Sequence, residues 1–152
     1  MLSFPTEETK NEQKQQNVSW TNNRMSTEGE GRGLEGVGIP LPVNFHGNLK
    51  SAQNDQQFKE LLQQAKESKQ TAVVSYGAKW CNACRQMLPT FCNLSNDYPD
   101  SLFIYTDIDE CPDETLDVRY TPTFRFFRGG EKVDEFYGAG PQRLRDRVWL
   151  QS

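Results

Sequence analysis

The chain has 152 residues, with 17 Lys and Arg against 21 Asp and Glu, a net charge of −4 and a single histidine. That length suits one domain plus extra sequence. The charge is too mild, and of the wrong sign, for a nucleic-acid or anionic-membrane surface, and no basic cluster interleaved with aromatics contradicts this. No apolar run approaches the roughly 18–20 residues of a membrane span.

The N-terminal residues, Met1 to Glu8, lack a basic region followed by an apolar one, so no secretory signal is visible. Early acids such as Glu7, Glu8 and Glu12 argue against an organellar transit peptide. Four cysteines do not make a disulfide-dense scaffold, so a reducing, cytoplasmic setting is expected.

Taken in order, residues 1–44 read as a disordered tail. Gln, Asn, Glu, Thr and Gly dominate it, and Val18, Trp20 and Met25 follow no period. Between Glu28 and Gly38, five glycines alternate with charges, a composition that buries too little apolar area to offset chain entropy. The ordered domain is expected over 45–152. His46, at its edge, has no metal partner nearby in sequence.

Asn54 or Asp55 can cap a helix carrying Phe58, Leu61, Leu62 and Ala65 on one face. Thr71–Gly77, with Ala72-Val73-Val74, reads as a buried strand. A helix from about Cys81 to Tyr98 follows, and Pro89 inside it predicts a kink. Ser101–Asp107 is a second core strand, and Pro112 suits the first turn of a short helix to about Val118.

Thr123–Arg128, Gly129-Gly130 and Glu131–Tyr137 read as a β-hairpin. Arg125 in its first strand is expected to cover apolar surface with its stem and reach water with its head. Pro141 opens a last helix, with Leu144 and Val148 inward and Arg143, Arg145 and Arg147 outward. The order predicts a three-layer α/β domain, a mixed sheet with helices on both faces.

The chemistry sits where the first of these strands gives way to the long helix, at Trp80-Cys81-Asn82-Ala83-Cys84. A Cys-x-x-Cys at such a junction reads as a dithiol redox centre. A helix N-terminus favours an anion, which stabilises the thiolate of Cys81. Cys84, one turn on, comes within reach of it.

The dull alternative is half of a zinc site, but tetrahedral zinc wants four N or S ligands. Only Cys92, Cys111 and His46 remain, and none has the paired spacing of a second half. Cys92 reads as a small buried hydrophobe. Cys111, just after a strand, is expected to be more exposed, with or without a role. Lys79 can support the Cys81 thiolate or simply be solvated.

The element order, with Trp80-Cys81-Asn82-Ala83-Cys84, Pro89, Thr121-Pro122-Thr123 and Tyr137-Gly138-Ala139, resembles the thioredoxin family over about Leu49 to Leu150. Three stretches are similar, more narrowly, to its atypical plant thioredoxin-like three-three group. They are Gly33–Gly36 with His46–Ala52, Asp107–Pro112, and Gly138-Ala139-Gly140 through Trp149-Leu150.

The resemblance implies a thioredoxin fold and thiol–disulfide exchange, with Cys81 as nucleophile, Cys84 as resolving cysteine and the pair as a redox-active disulfide. It implies a cis Pro122 beside the dithiol. It also implies a substrate-docking surface at Trp80, Ala83, Thr121, Pro122, Gly138 and Ala139.

Two departures stand out. Typical members have Gly-Pro between the cysteines, where this chain has Asn82-Ala83, so a less negative potential is expected. Ser75 stands where members bury an aspartate that assists proton transfer at the second cysteine, and Tyr105 where its lysine neighbour lies.

The expectation is therefore a protein-disulfide reductase: a monomer that binds no nucleic acid, membrane, metal or cofactor, acts on disulfide-containing proteins and is recharged by a partner reductase or glutathione. The rival expectations are a thioredoxin-scaffold binding module with decayed activity, or a redox sensor using Cys111.

Overall fold

The computed structural model describes residues 40–152. Most of the expected tail, 1–39, lies outside the described residues. Residues just before the expected start at Phe45 also make contacts. Leu41 packs against the core. Asn44 Nδ2 donates to Ser95 Oγ at 3.0 Å, and Asn44 Oδ1 accepts from the Leu49 N–H.

Five strands form one sheet in the order β1-β3-β2-β4-β5. They are β1 (Leu49–Ala52), β2 (Ala72–Gly77), β3 (Leu102–Asp107), β4 (Thr123–Arg128) and β5 (Glu131–Tyr137). β1 and β2 flank β3 in parallel, while β4 runs antiparallel to β2 and β5. The helices are α1 (Asp55–Glu67), α2 (Asn82–Asp97) and α3 (Pro141–Gln151). Among the described residues, no helix is long and apolar enough to cross a membrane.

β2 and β3 read as unbroken apolar runs because both faces of the sheet are covered. Val73, Phe103, Tyr105, Phe124 and Phe126 meet Met87, Leu88 and Phe91 of α2 and Leu144 and Val148 of α3. Ala72, Val74, Tyr76, Leu102 and Ile104 meet Phe58, Leu61 and Ala65 of α1 on the other face. Asn54 caps α1 by accepting the Gln57 N–H. α2 runs unbroken through Pro89 as one helix over 82–97.

Three expectations change. β1 was not anticipated: its Leu-Lys-Ser-Ala has only two apolar residues and no alternation, and it forms by pairing along β3. No helix forms over 112–118. The Glu114 N–H goes instead to Asp55 Oδ1 at 2.8 Å, and Thr115 Oγ1 donates to the Cys111 carbonyl at 2.7 Å. These side-chain bonds hold the segment as turns.

Arg125 does not reach water. Its side chain is buried, with Nε 2.8 Å from Glu135 Oε2, Nη1 3.2 Å from Asp117 Oδ1, and Cζ 4.9 Å over the Tyr76 ring. Burial works against its charge, but these partners hold it cationic. Of the three arginines of α3, two are engaged. Arg147 pairs with Asp134 at 2.7 Å, and Arg143 donates to the Tyr137 carbonyl.

Candidate active site

β2 and β3 run parallel and end together, Gly77 opposite Asp107. The carboxyl end of such a pair is where an α/β sheet leaves a crevice. The Ile108 N–H donates to the Gly77 carbonyl at 2.9 Å, binding the two exits. The chain leaving β2 turns at Ala78, whose carbonyl accepts the Cys81 N–H, and enters α2 with Cys81 as N-cap. Arg85 braces that turn, its guanidinium donating to the Lys79 carbonyl at 3.0 Å and to Asn82 Oδ1 at 3.1 Å.

Cys81 and Cys84 are joined as a disulfide, their Cα atoms 5.3 Å apart. The Cys84 N–H donates to Cys81 Sγ at 3.2 Å, so the first sulfur occupies the position of an N-cap acceptor. Reduction leaves that sulfur facing the positive end of α2, which favours its thiolate. Cys81 keeps 7 % of its surface exposed and Cys84 only 3 %, so Cys81 is the outer residue of the pair. Ala78, Ala83 and Ile108 pack around the pair.

The loop before β4 completes the surface. The Thr121–Pro122 peptide is cis, and the Thr121 carbonyl oxygen lies 3.6 Å from Cys81 Sγ. The Gly138 N–H donates to the Pro122 carbonyl at 2.9 Å. Gly138 has φ +104°, a conformation closed to most side chains, which leaves its backbone open to an approaching chain. Trp80 lies exposed beside the dithiol, with Nε1 2.9 Å from Asp109 Oδ2. Tyr120 and Tyr137, which flank Thr121 and Gly138 in the chain, stack with their rings 4.7 Å apart.

Thr121 thus touches Cys81 directly, Pro122 and Gly138 join it through the cis peptide and the Gly138 N–H, and Ala139 lies exposed next to Gly138. Lys79 is committed elsewhere, 3.6 Å from Glu110. Asp109 was missed from the sequence. The signal available was the parallel register of β2 and β3, which brings the residues after each strand side by side.

The other two thiols are not part of this surface. Cys92 is buried, and its burial raises its pKa to about 12. Cys111, expected to be more exposed, is fully buried with Sγ 3.7 Å from the Ala52 carbonyl. Burial first, then the charges of Asp55 and Glu110, push its thiol up to about 12. The turns over 112–118 fold the segment back over it.

Beneath the dithiol the two departures meet. Ser75 and Tyr105 are register partners across β2 and β3, and both are buried. Tyr105 Oη finds no hydrogen-bond partner among the described residues.

Comparison with known proteins places this geometry. The family model described as Thioredoxin matches residues 50–148. "Thioredoxin-like 3-3" of Oryza sativa subsp. japonica is 57% identical, over 82% of this chain and 98% of its own. "Thioredoxin-like 3-3" of Arabidopsis thaliana is 54% identical, over 82% and 97%. Among solved structures, a poplar wild-type thioredoxin h superposes with a TM-score of 0.65 at 29% identity, covering 68% of this chain and 96% of its own.

Proposed function

The chain belongs to the thioredoxin family, whose chemistry is thiol–disulfide exchange, and from this premise we propose that it reduces disulfide bonds in other proteins. One observation carries the reading: Cys81 Sγ sits at the N-cap of α2 with the Cys84 N–H on it, beside the Thr121 carbonyl and the cis Pro122 turn that Gly138 braces.

An extended substrate docks along that turn and Trp80. The Cys81 thiolate attacks one sulfur of the substrate disulfide. The other sulfur leaves with the bonding pair and takes up a proton. Cys84 loses its proton, attacks Cys81 Sγ and releases the second substrate sulfur as a thiol. The dithiol gives up two electrons and two protons, and ends as the Cys81–Cys84 disulfide.

On this reading the protein works as a monomer in the reducing cytoplasm and holds no cofactor of its own. A partner reductase or glutathione supplies the electrons that restore the dithiol. The burial and raised pKa of Cys111 weigh against the sensor reading.

The test is turnover of a protein disulfide, such as those of insulin, with dithiothreitol as the electron source. Wild type turns over and Cys81→Ser does not. Equal rates in the two proteins refute the reading.

A further inference from the structure

The buried phenol beneath the dithiol has no task in the scheme above. Tyr105 is 1 % exposed, and its hydroxyl lacks a partner among the described residues. Such an orphan is costly to bury. Its position is specific. A Cβ built on Gly77 would lie 3.2 Å from both Tyr105 Cε1 and Tyr105 Oη, and 3.4 Å from Cys84 Cβ. The absence of a side chain at Gly77 thus lets the phenol and Cys84 approach the same point. A side chain there would press on the phenol and touch Cys84.

We propose that Tyr105 is a positioning residue for the resolving step: its hydroxyl donates a hydrogen bond to Cys84 Sγ once the Cys81–Cys84 bond opens. In the disulfide, Cys84 Sγ is tethered to Cys81 and the phenol is unpaired. Reduction frees the sulfur to turn about its Cα–Cβ bond, and Tyr105 Oη is a buried donor without a partner that shares the Gly77 position with Cys84.

The family's buried carboxylate takes a proton from the second cysteine. A phenol here does a different job. Burial, together with the charges of Asp107 and Glu110, raises the Tyr105 pKa, so it stays protonated and acts only as a donor. A donor favours the Cys84 thiolate as nucleophile when a substrate is released. By reversibility it also favours that thiolate as leaving group when an external thiol reduces the disulfide.

This inference rests on the redox reading and predicts a sign. The contact exists only in the reduced protein, so it stabilises the dithiol and makes the protein a weaker reductant. The full-length protein is equilibrated in glutathione redox buffers, and the Cys81–Cys84 pair is read by thiol alkylation and mass. In Tyr105→Phe the equilibrium moves toward the disulfide by about tenfold, equivalent to a potential about 30 mV more negative.

The thermodynamic cycle supplies a second readout in urea. Tyr105→Phe stabilises the oxidised protein, by removing an orphan, more than it does the reduced one. An unchanged equilibrium, or one moved toward the dithiol, overturns the donor role while leaving the redox reading intact. A wild-type pair that never exchanges with glutathione overturns both.

Discussion

Trp80 Nε1 donates to Asp109 Oδ2 at 2.9 Å, so the residue preceding the first cysteine is held by the segment leaving β3. The indole is 66 % exposed, and its burial against the protein does little to fix it. The hydrogen bond, itself supported by Asp107 Oδ1 accepting the Asp109 N–H at 2.8 Å, sets its orientation. In Asp109→Ala the indole swings freely and the docking surface is no longer pre-formed. An exposed hydrogen bond contributes about 0.5–1.5 kcal/mol. KM for a protein disulfide should rise about three- to tenfold, while the rate with a small aromatic disulfide changes little. Steady-state kinetics with both substrates checks this.

Arg125 and its carboxylates should respond unequally to mutation. The guanidinium is the buried partner, whereas Asp117 is largely exposed and Glu135 about one-third exposed. Removing Glu135 leaves the buried cation with only the exposed Asp117 as a carboxylate partner; removing Arg125 leaves two acids that reach water, one of them still paired with Lys132. Glu135→Ala should therefore destabilise the fold by about 1–3 kcal/mol, and Arg125→Met, which keeps the packing on Tyr76, by less. Urea unfolding of the two variants decides it.

The buried thiols make stability fall at high pH. Burial raises Cys92 and Cys111 from an ordinary value near 9.0 to about 12. Tyr76 is likewise raised by burial, from 10.0 to about 12. Groups with raised folded pKa values add stability that is complete below the unfolded pKa. It is lost as pH climbs through the folded one, because the unfolded chain releases these protons first. The slope of unfolding free energy against pH should be negative between about 9 and 12. It should flatten in Cys92→Ala and Cys111→Ala. Urea melts across that window measure it.

What could be read from the chain was set by periodicity and by local chemistry. The runs Ala72-Val73-Val74 and Leu102-Phe103-Ile104-Tyr105 announce strands covered on both faces, and Cys81 at a helix start announces its own chemistry. The segment Leu49–Ala52 carries no such signal, because an edge strand this short exists only through its pairing with β3. The burial of Cys111 depends on a turn bonded to Asp55, far away in sequence. The partners of Arg125 come from β5 and from the turn at Asp117, so only the assembled sheet shows that it is not alone. Ser75 and Tyr105 were recognisable as departures from a pattern. Their pairing across two strands, and the space that Gly77 leaves beside Cys84, appear only in three dimensions.

The central claim is that Cys81 is the sulfur that meets the substrate and Cys84 the one that releases it. Trapping measures this most directly: reduced Cys84→Ser is mixed with a disulfide-containing protein and the adduct is mapped by peptide mass spectrometry. The account predicts a stable mixed disulfide at Cys81, and none at Cys92 or Cys111. No adduct, or one on either buried thiol, would contradict it.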